Sequence, residues 1–222
     1  MDRLSVSPVL FRKMPGTMDY PETVLGMETH VSRMLAGLAS EEVWLLEHPA
    51  IYTLGSGAKE ADILTLVKLP LYKTGRGGQI TYHGPGQRVA YIMIDLARRG
   101  RDLRRYVWLL EEGLILTLKD LGVVGERRPA RVGVWVCGSR DGQEREEKIA
   151  AIGVRIKKWI TFHGISLNVN PDLAHYHPIV PCGLADYGVT SLHKLGIKVT
   201  LEEVDQRLEK NFRQLFEIRP PF

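Results

Sequence analysis

Between Pro21 and Leu38 apolar residues return every three or four positions, placing Val24, Met27, Val31, Met34, Leu35 and Leu38 on one face of a helix. Pro21 suits its first turn, where a missing N–H costs nothing. The same period predicts a second helix over Leu103–Leu121. A third opens at Thr200, with Glu203 at capping-box spacing and Leu201, Val204, Leu208, Phe212 and Leu215 as its buried stripe. Shorter apolar runs read as strands at Val43–Leu46, Ile51–Leu54, Val89–Leu96, Val132–Val136, Lys148–Ile156, Ile160–Phe162 and Ile165–Val169. Ala58–Val67 fits a short helix, and the charged stretch Gly138–Glu147 reads as the exposed loop of a hairpin. Strands in clusters, interrupted by helices without strict βαβ alternation, predict an α+β fold around a mixed sheet. No repeat, linker or shift in composition divides residues 1–222, which read as one domain.

Composition narrows the function classes. An apolar share of 44% and a charged share of 25% are ordinary for a globular chain. No run approaches the ~20 apolar residues of a membrane span, and the first residues lack a signal-peptide core. A cytoplasmic protein with no membrane partner is expected. The two cysteines, Cys137 and Cys182, lie far apart and are expected to be free thiols. Without CxxC spacing, no metal site is expected. The net charge of +4 points to acidic partners. Its densest patch, Arg98-Arg99-Gly100-Arg101 with Arg104-Arg105, lacks interleaved aromatic platforms. It is read as a solvated face or a docking surface for an acidic carrier, and no nucleic-acid partner is expected.

Two segments carry candidate chemistry. In Arg76-Gly77-Gly78-Gln79-Ile80-Thr81-Tyr82-His83 the glycines lead into a strand rather than a helix, which excludes a dinucleotide fingerprint. Three more turn-formers follow in His83-Gly84-Pro85-Gly86-Gln87, so the segment is specified more tightly than a simple turn requires. The second is Val180-Pro181-Cys182-Gly183-Leu184, where Pro fixes the chain entering the cysteine and Gly lets backbone approach beyond it. Cys137, beside Val134-Trp135-Val136, fits a buried small hydrophobe instead. A nucleophilic thiol needs a base or a positive neighbour. His83 and His163, each preceding a glycine, and Lys148, opening an apolar strand, are all candidates. Alternation puts Lys148, Ala150 and Ile152 on one side of that strand, with the small Ala151 and Gly153 on the other.

In this order the segments resemble the lipoyl(octanoyl) transferase family. The resemblance rests on Gly75–Tyr91, which carries the RGGxxTxHGPGQ signature, on Lys148–Arg155, on Thr161–Asn168, and on Pro181–Leu184 followed by Val189–Leu192. Glu47-His48-Pro49 and Tyr52–Gly55 resemble the family's early segment. It implies a fold like that of the biotin and lipoate protein ligases, a mixed central sheet flanked by helices with a smaller second sheet. It implies transfer of an octanoyl or lipoyl group from acyl carrier protein to a lysine of a lipoyl domain, the first step of protein lipoylation. The acceptors would be E2 subunits of 2-oxoacid dehydrogenases and the glycine-cleavage H protein. Carried over by position, Cys182 becomes the acyl-thioester nucleophile and Lys148 its partner in a cysteine–lysine dyad. The substrate site becomes Arg76, Gly77, Gly78, Gln79, Ile80, Thr81, Tyr82 and His83, then Ala151, Ile152 and Gly153, then Gly164, Ile165 and Ser166. Backbone N–H groups near Cys182 and Gly183 would serve as oxyanion donors. No cofactor and no metal is implied. An ATP-dependent lipoate or biotin ligase of the same fold is the alternative, and would not need Cys182.

Overall fold

The computed structural model describes residues 8–140, 143–184 and 186–217. Strands β1 (Leu10–Thr17), β2 (Glu42–Glu47), β6 (Gln87–Met93), β7 (Glu126–Arg128), β8 (Arg131–Arg140), β9 (Gln143–Lys157) and β10 (Ile160–Asn168) build the large sheet, in the order β1-β2-β6-β10-β9-β8-β7. Its pairings are antiparallel apart from β1 on β2 and a short β11 (Gly188–Val189) on β9, so the sheet is mixed. A second sheet orders β4 (Leu71–Lys73), β3 (Ile51–Leu54) and β5 (Ile80–His83) as β4-β3-β5. This is the α+β fold around a mixed sheet that the pattern predicts, and the small second sheet is the one the resemblance implies.

Each helix covers a face because its stripe matches one. α1 (Tyr20–Leu35) is capped by Asp19, whose carboxylate accepts the Glu22 N–H at 3.0 Å, and lays Met27 and Val31 on Val89, Tyr91, Met93 and Phe162. On the opposite face α2 (Leu103–Lys119) and α3 (Leu201–Glu217) pack Leu110, Leu114, Val204, Leu208 and Phe212 against Ile92, Ile149, Ile165 and Leu167. The expected capping box forms, with Glu203 accepting the Thr200 N–H at 2.8 Å and Thr200 accepting the Glu203 N–H at 3.2 Å. Tyr52, Ile80, Tyr82, Tyr176 and Ile179 make a third core under the small sheet. No helix among the described residues is long and apolar enough to cross a membrane.

Several elements differ from expectation. In place of a helix over Ala58–Val67 there is one 3-10 turn at Glu60–Asp62. Leu64 and Leu66 are exposed, so no apolar stripe existed to bury. The charged Gly138–Glu147 stretch is mostly ladder, with Cys137 opposite Glu146 and Gly138 opposite Arg145; residues 141 and 142 lie outside the described residues. Glu146 accepts ion pairs from Arg128 and Arg131 across the strands, so charge here builds the sheet edge. Cys137 is correspondingly exposed, not buried, and its sulfur lies 2.9 Å from Arg128 Nη2. Edge strands β1, β4 and β7 are short or polar and give no period-2 signal.

Two local irregularities bear on the site. The register of β9 slips against β8 between Val134 and Trp135, because Val134 pairs with Ala150 and Trp135 with Lys148. The extra residue, Ile149, goes into the core beside Ala150. The alternation is thereby reversed, and Lys148 faces the same side as Ala151 and Gly153, contrary to the strict period. At the other end of β9, Lys158 (φ 49°) and Trp159 (φ 68°) form the two-residue turn into β10 in left-handed conformation. Such turns favour Asn and Gly.

Where β10 crosses β6, a Cβ on Gly164 would overlap the carbonyl oxygen of Ala90. Gly164→Ala is therefore expected to destabilise the fold by about 2 kcal/mol or more, since main chain must move to admit the methyl. Urea unfolding measures this directly.

Candidate active site

The cavity floor comes from three adjacent strands on the face that α1 covers. Val89 and Tyr91 of β6 pair with Ser166 and Gly164 of β10, which pair with Ala151 and Gly153 of β9. Small side chains at four of these six positions leave space above the sheet. The cavity holds about 320 Å³, within the range of small-molecule sites. Ile152 and Ile165 border it, but their side chains turn into the opposite core.

The glycine-rich segment forms one wall. Arg76 is buried there, with Nη2 donating to the carbonyl and hydroxyl oxygens of Thr53, each at 2.7 Å, and Nη1 donating to Gly77 O at 3.0 Å. It has no carboxylate partner among the described residues, so the site holds an uncompensated guanidinium. Burial lowers its pKa, but an arginine stays charged all the same. Alternation along β5 directs Thr81 and His83 to the cavity and Ile80 and Tyr82 to the core of the small sheet. Ile80, Tyr82 and Gly77 are thus placed outside the cavity lining, although the resemblance put them in the substrate site. Gly77 N–H instead donates to Val154 O at 2.9 Å, tying the wall to β9. Arg76, Gly78, Gln79, Thr81, His83, Ala151, Gly153, Gly164 and Ser166 all line the cavity.

Cys182 and Lys148 open on the same cavity. Cys182 sits in a 3-10 turn, Pro181–Gly183, with φ 56° and ψ 19°, a left-handed conformation rare outside glycine. Gly183 follows at φ 67°, and a Cβ there would overlap the side-chain amide of Gln79. That amide's Oε1 is buried without a hydrogen-bond partner among the described residues, leaving an acceptor against Gly183. Gly183 N–H is spent on Val180 O at 3.0 Å and is not a free oxyanion donor, whereas the Cys182 N–H has no partner among the described residues. Beyond this turn the chain returns as β11 and pairs Val189 with Lys148, which anchors the cysteine segment to the lysine strand.

Lys148 is only 6% exposed. Its Nζ donates to Val132 O at 3.0 Å and lies 4.8 Å from the centroid of the Trp135 ring. It makes no ion pair among the described residues. Gly133 packs against its stem, and Glu111 holds the Gly133 N–H at 3.1 Å. The lysine is thus held from three sides at the cavity wall.

Two imidazoles, His83 and His163, complete the wall, and a third, His48, stands behind His83 with ring centroids 6.1 Å apart. His83 Nδ1 meets Gln87 Oε1 at 2.6 Å, while Gln87 Nε2 donates to Asn168 Oδ1 at 3.0 Å. Nδ1 therefore carries the proton, and Nε2 is a bare acceptor. Burial, with His48 and Arg76 nearby, drives the His83 pKa down to about 3; burial, with Arg76 and Arg155, does the same to His163. Burial also lowers His48, whose Nε2 lies 2.8 Å from the Tyr91 hydroxyl. All three are neutral at pH 7, which makes His83 and His163 weak bases for a thiol.

These depressed values also predict acid sensitivity. Unfolded imidazoles bind protons near pH 6.5 while the folded ones do not until about pH 3, so their stabilisation is complete above 6.5 and falls as pH drops between those values. Each contributes a slope of about 1.4 kcal/mol per pH unit in that window. Thermal unfolding from pH 7 to 4.5 should show a steep, continuous loss; a flat profile would mean the rings are hydrated.

The sequence passes over Tyr20, Tyr91 and the strip Ala130–Val132, which also line the cavity. Tyr91 lies inside an unbroken apolar run, and Ala130–Val132 reaches the site only because β8 does; neither carries a local signal.

Comparison with known proteins gives the family and the fold. Residues 19–213 match the lipoyl protein ligase A/B catalytic domain family. An octanoyltransferase of Parvibaculum lavamentivorans is 57% identical over 197 residues, covering 89% of this chain and 88% of the relative. One from Cereibacter sphaeroides is 51% identical over 216 residues, covering 95% and 99%. Among solved structures, lipoate-protein ligase A bound with ATP superposes with a TM-score of 0.69 at 15% identity, covering 94% of this chain and 85% of that one. The bipartite lipoate protein ligase of Thermoplasma acidophilum gives 0.64 at 15%, covering 94% and 83%. At such identities the structures speak for the fold alone. With a matching domain over most of its length and relatives above half identity, the chain belongs to the octanoyltransferases of the lipoyl protein ligase A/B family.

Proposed function

We propose that the chain, as one catalytic domain over residues 1–222, moves an octanoyl group from acyl carrier protein to a lysine of a lipoyl domain through an acyl thioester on Cys182. The observation that carries this route is the opening of Cys182 and Lys148, 34 residues apart, onto one cavity with a floor of glycine, alanine and serine. Lys148 takes the proton of Cys182, and the thiolate attacks the donor's thioester carbonyl. The carrier's sulfur leaves and recovers that proton from Lys148, giving the acyl-enzyme. The amine of the acceptor lysine then attacks, Lys148 takes its proton, an amide forms, and the Cys182 sulfur is reprotonated. Thioester exchange is near neutral and aminolysis is downhill, so neither half needs ATP.

The unpaired Cys182 N–H and the Arg76 guanidinium are the donors available to the developing oxyanion. Burial of about seven carbons beyond the carbonyl contributes on the order of 5 kcal/mol, so one methylene changes affinity only about fourfold without a hard end to the pocket. E2 subunits of 2-oxoacid dehydrogenases and the glycine-cleavage H protein are the proposed acceptors, and the cytoplasm the proposed compartment.

Intact-protein mass after mixing with octanoyl carrier protein tests the route. One octanoyl adduct is expected on the wild type, cleaved by hydroxylamine, retained in Cys137→Ser and absent as a labile thioester in Cys182→Ser. Labelling of Cys137 instead would remove Cys182 from the mechanism. Efficient product from free octanoate and ATP would favour the ligase reading.

A further inference from the structure

The basic segment singled out in the sequence lies outside the cavity and has no part in the transfer chemistry. In the fold, Arg101, Arg104 and Arg105 meet Lys157 and Lys158 at one end of the large sheet. A backbone bond joins the two stretches, Leu96 N–H to Trp159 O at 2.8 Å, and Arg101 N–H closes back on Leu96 O at 2.8 Å. All five cations are exposed, and none forms an ion pair among the described residues. The nearest carboxylates are already engaged, Asp95 with Arg98 and Asp102 as the cap of α2.

Exposed apolar groups interrupt this charge. Trp159 is 37%, Trp108 38% and Leu103 44% exposed. Arg101 lies over Trp159 at 6.0 Å, and Arg105 and Arg127 lie against Trp108 at 4.5 and 4.4 Å. These platforms carry no signal within the basic segment, because the tryptophans enter from α2 and from the β9–β10 turn. Arg101, Lys158 and Trp159 are all left-handed, so the display is kept at positions that glycine or asparagine would occupy more easily.

Resting on the proposed transfer, we propose that this surface is where the acyl carrier protein docks. Exposed unpaired cations around two tryptophans fit an acidic partner, with aromatic and arginine anchors set among charge. Reach chooses the carrier over the acceptor domain. Glu111, which holds Gly133 beside Lys148, lies six residues along α2 from Arg105, about 9 Å. A lysine side chain on a domain seated there would have to span that distance and then descend into the cavity. Of the two partners only the carrier brings a long flexible arm, its pantetheine, and the Arg105 end of the patch leads through Arg127, on the shared Trp108 ring, towards Arg131, which lines the mouth.

The test is the triple variant Arg101→Glu, Arg104→Glu, Arg105→Glu, assayed with octanoyl carrier protein and separately with octanoyl-pantetheine. KM for the carrier is expected to rise at least about tenfold, roughly 1.4 kcal/mol, and to lose its salt dependence. Turnover of octanoyl-pantetheine and KM for the lipoyl domain should be unchanged. Trp159→Gly, which relaxes the turn, should keep the melting temperature while raising the carrier KM. An unchanged carrier KM in both variants, an equal loss with octanoyl-pantetheine, or a shift in the lipoyl-domain KM instead would each overturn the assignment. So would steep, salt-dependent binding of random oligonucleotides that the triple variant loses while carrier KM stays put. Tryptophan fluorescence titration with unacylated carrier reads the surface even if no transfer occurs; binding without turnover of either donor would refute the proposed transfer and leave the docking site standing.

Discussion

Cys182→Ala is expected to lower turnover with octanoyl carrier protein by a factor on the order of 10⁴ or more, because no other group can hold the acyl chain between donor and acceptor. The loss should fall on kcat, since the cavity floor and the Arg76 wall are untouched and donor binding persists. The geometry excludes rescue by a neighbour. Cys137 is on the outer part of β8, paired opposite Glu146, and His83 and His163 are too weakly basic to activate water on a bound thioester. Steady-state kinetics with both donor concentrations and acceptor varied should show the ping-pong pattern in wild type and only background acyl loss in the variant. Retention of a tenth of the activity would mean direct aminolysis of the carrier thioester.

Lys148→Ala should slow both acyl-enzyme formation and amide formation by about 10² to 10⁴, the usual worth of a positioned base. Single-turnover measurements separate the two halves. Lys148→Arg distinguishes the possible roles. Arginine can keep the contacts to Val132 O and Trp135 but cannot take up a proton. If Lys148 works by moving protons, arginine should rescue little. If it works as a fixed positive neighbour, arginine should restore most of the rate of the first half. Full activity in the alanine variant would remove Lys148 from the chemistry.

Much of the large sheet and all three long helices were legible because each carries a full period of its own. Met27 and Val31, or Leu208 and Phe212, announce their faces without knowledge of a partner. Ordered motifs such as RGGxxTxHGPGQ and the Pro-Cys-Gly turn mark walls of the cavity. What the chain did not announce depends on neighbours. β1 and β7 are strands because an edge of the large sheet was there to receive them. Cys137 looked buried from its sequence neighbours, yet stands exposed over a ladder of charged pairs. Lys148 reaches the cavity through a register slip against β8, and no periodicity within β9 encodes that slip. The split within Arg76–His83 is of the same kind, since only a known strand direction tells Thr81 and His83 from Ile80 and Tyr82.

The left-handed turn at Cys182 has a consequence for how this position can vary. A non-glycine residue there costs on the order of 1–3 kcal/mol that packing elsewhere must offset. Glycine would fit the same backbone without that cost, so folding alone favours replacing the one atom on which the proposed chemistry depends. Stability and activity are opposed at a single position. A screen of this chain for thermal resistance would select Cys182→Gly and other silent catalysts, and consensus drawn from function would always restore the less stable residue.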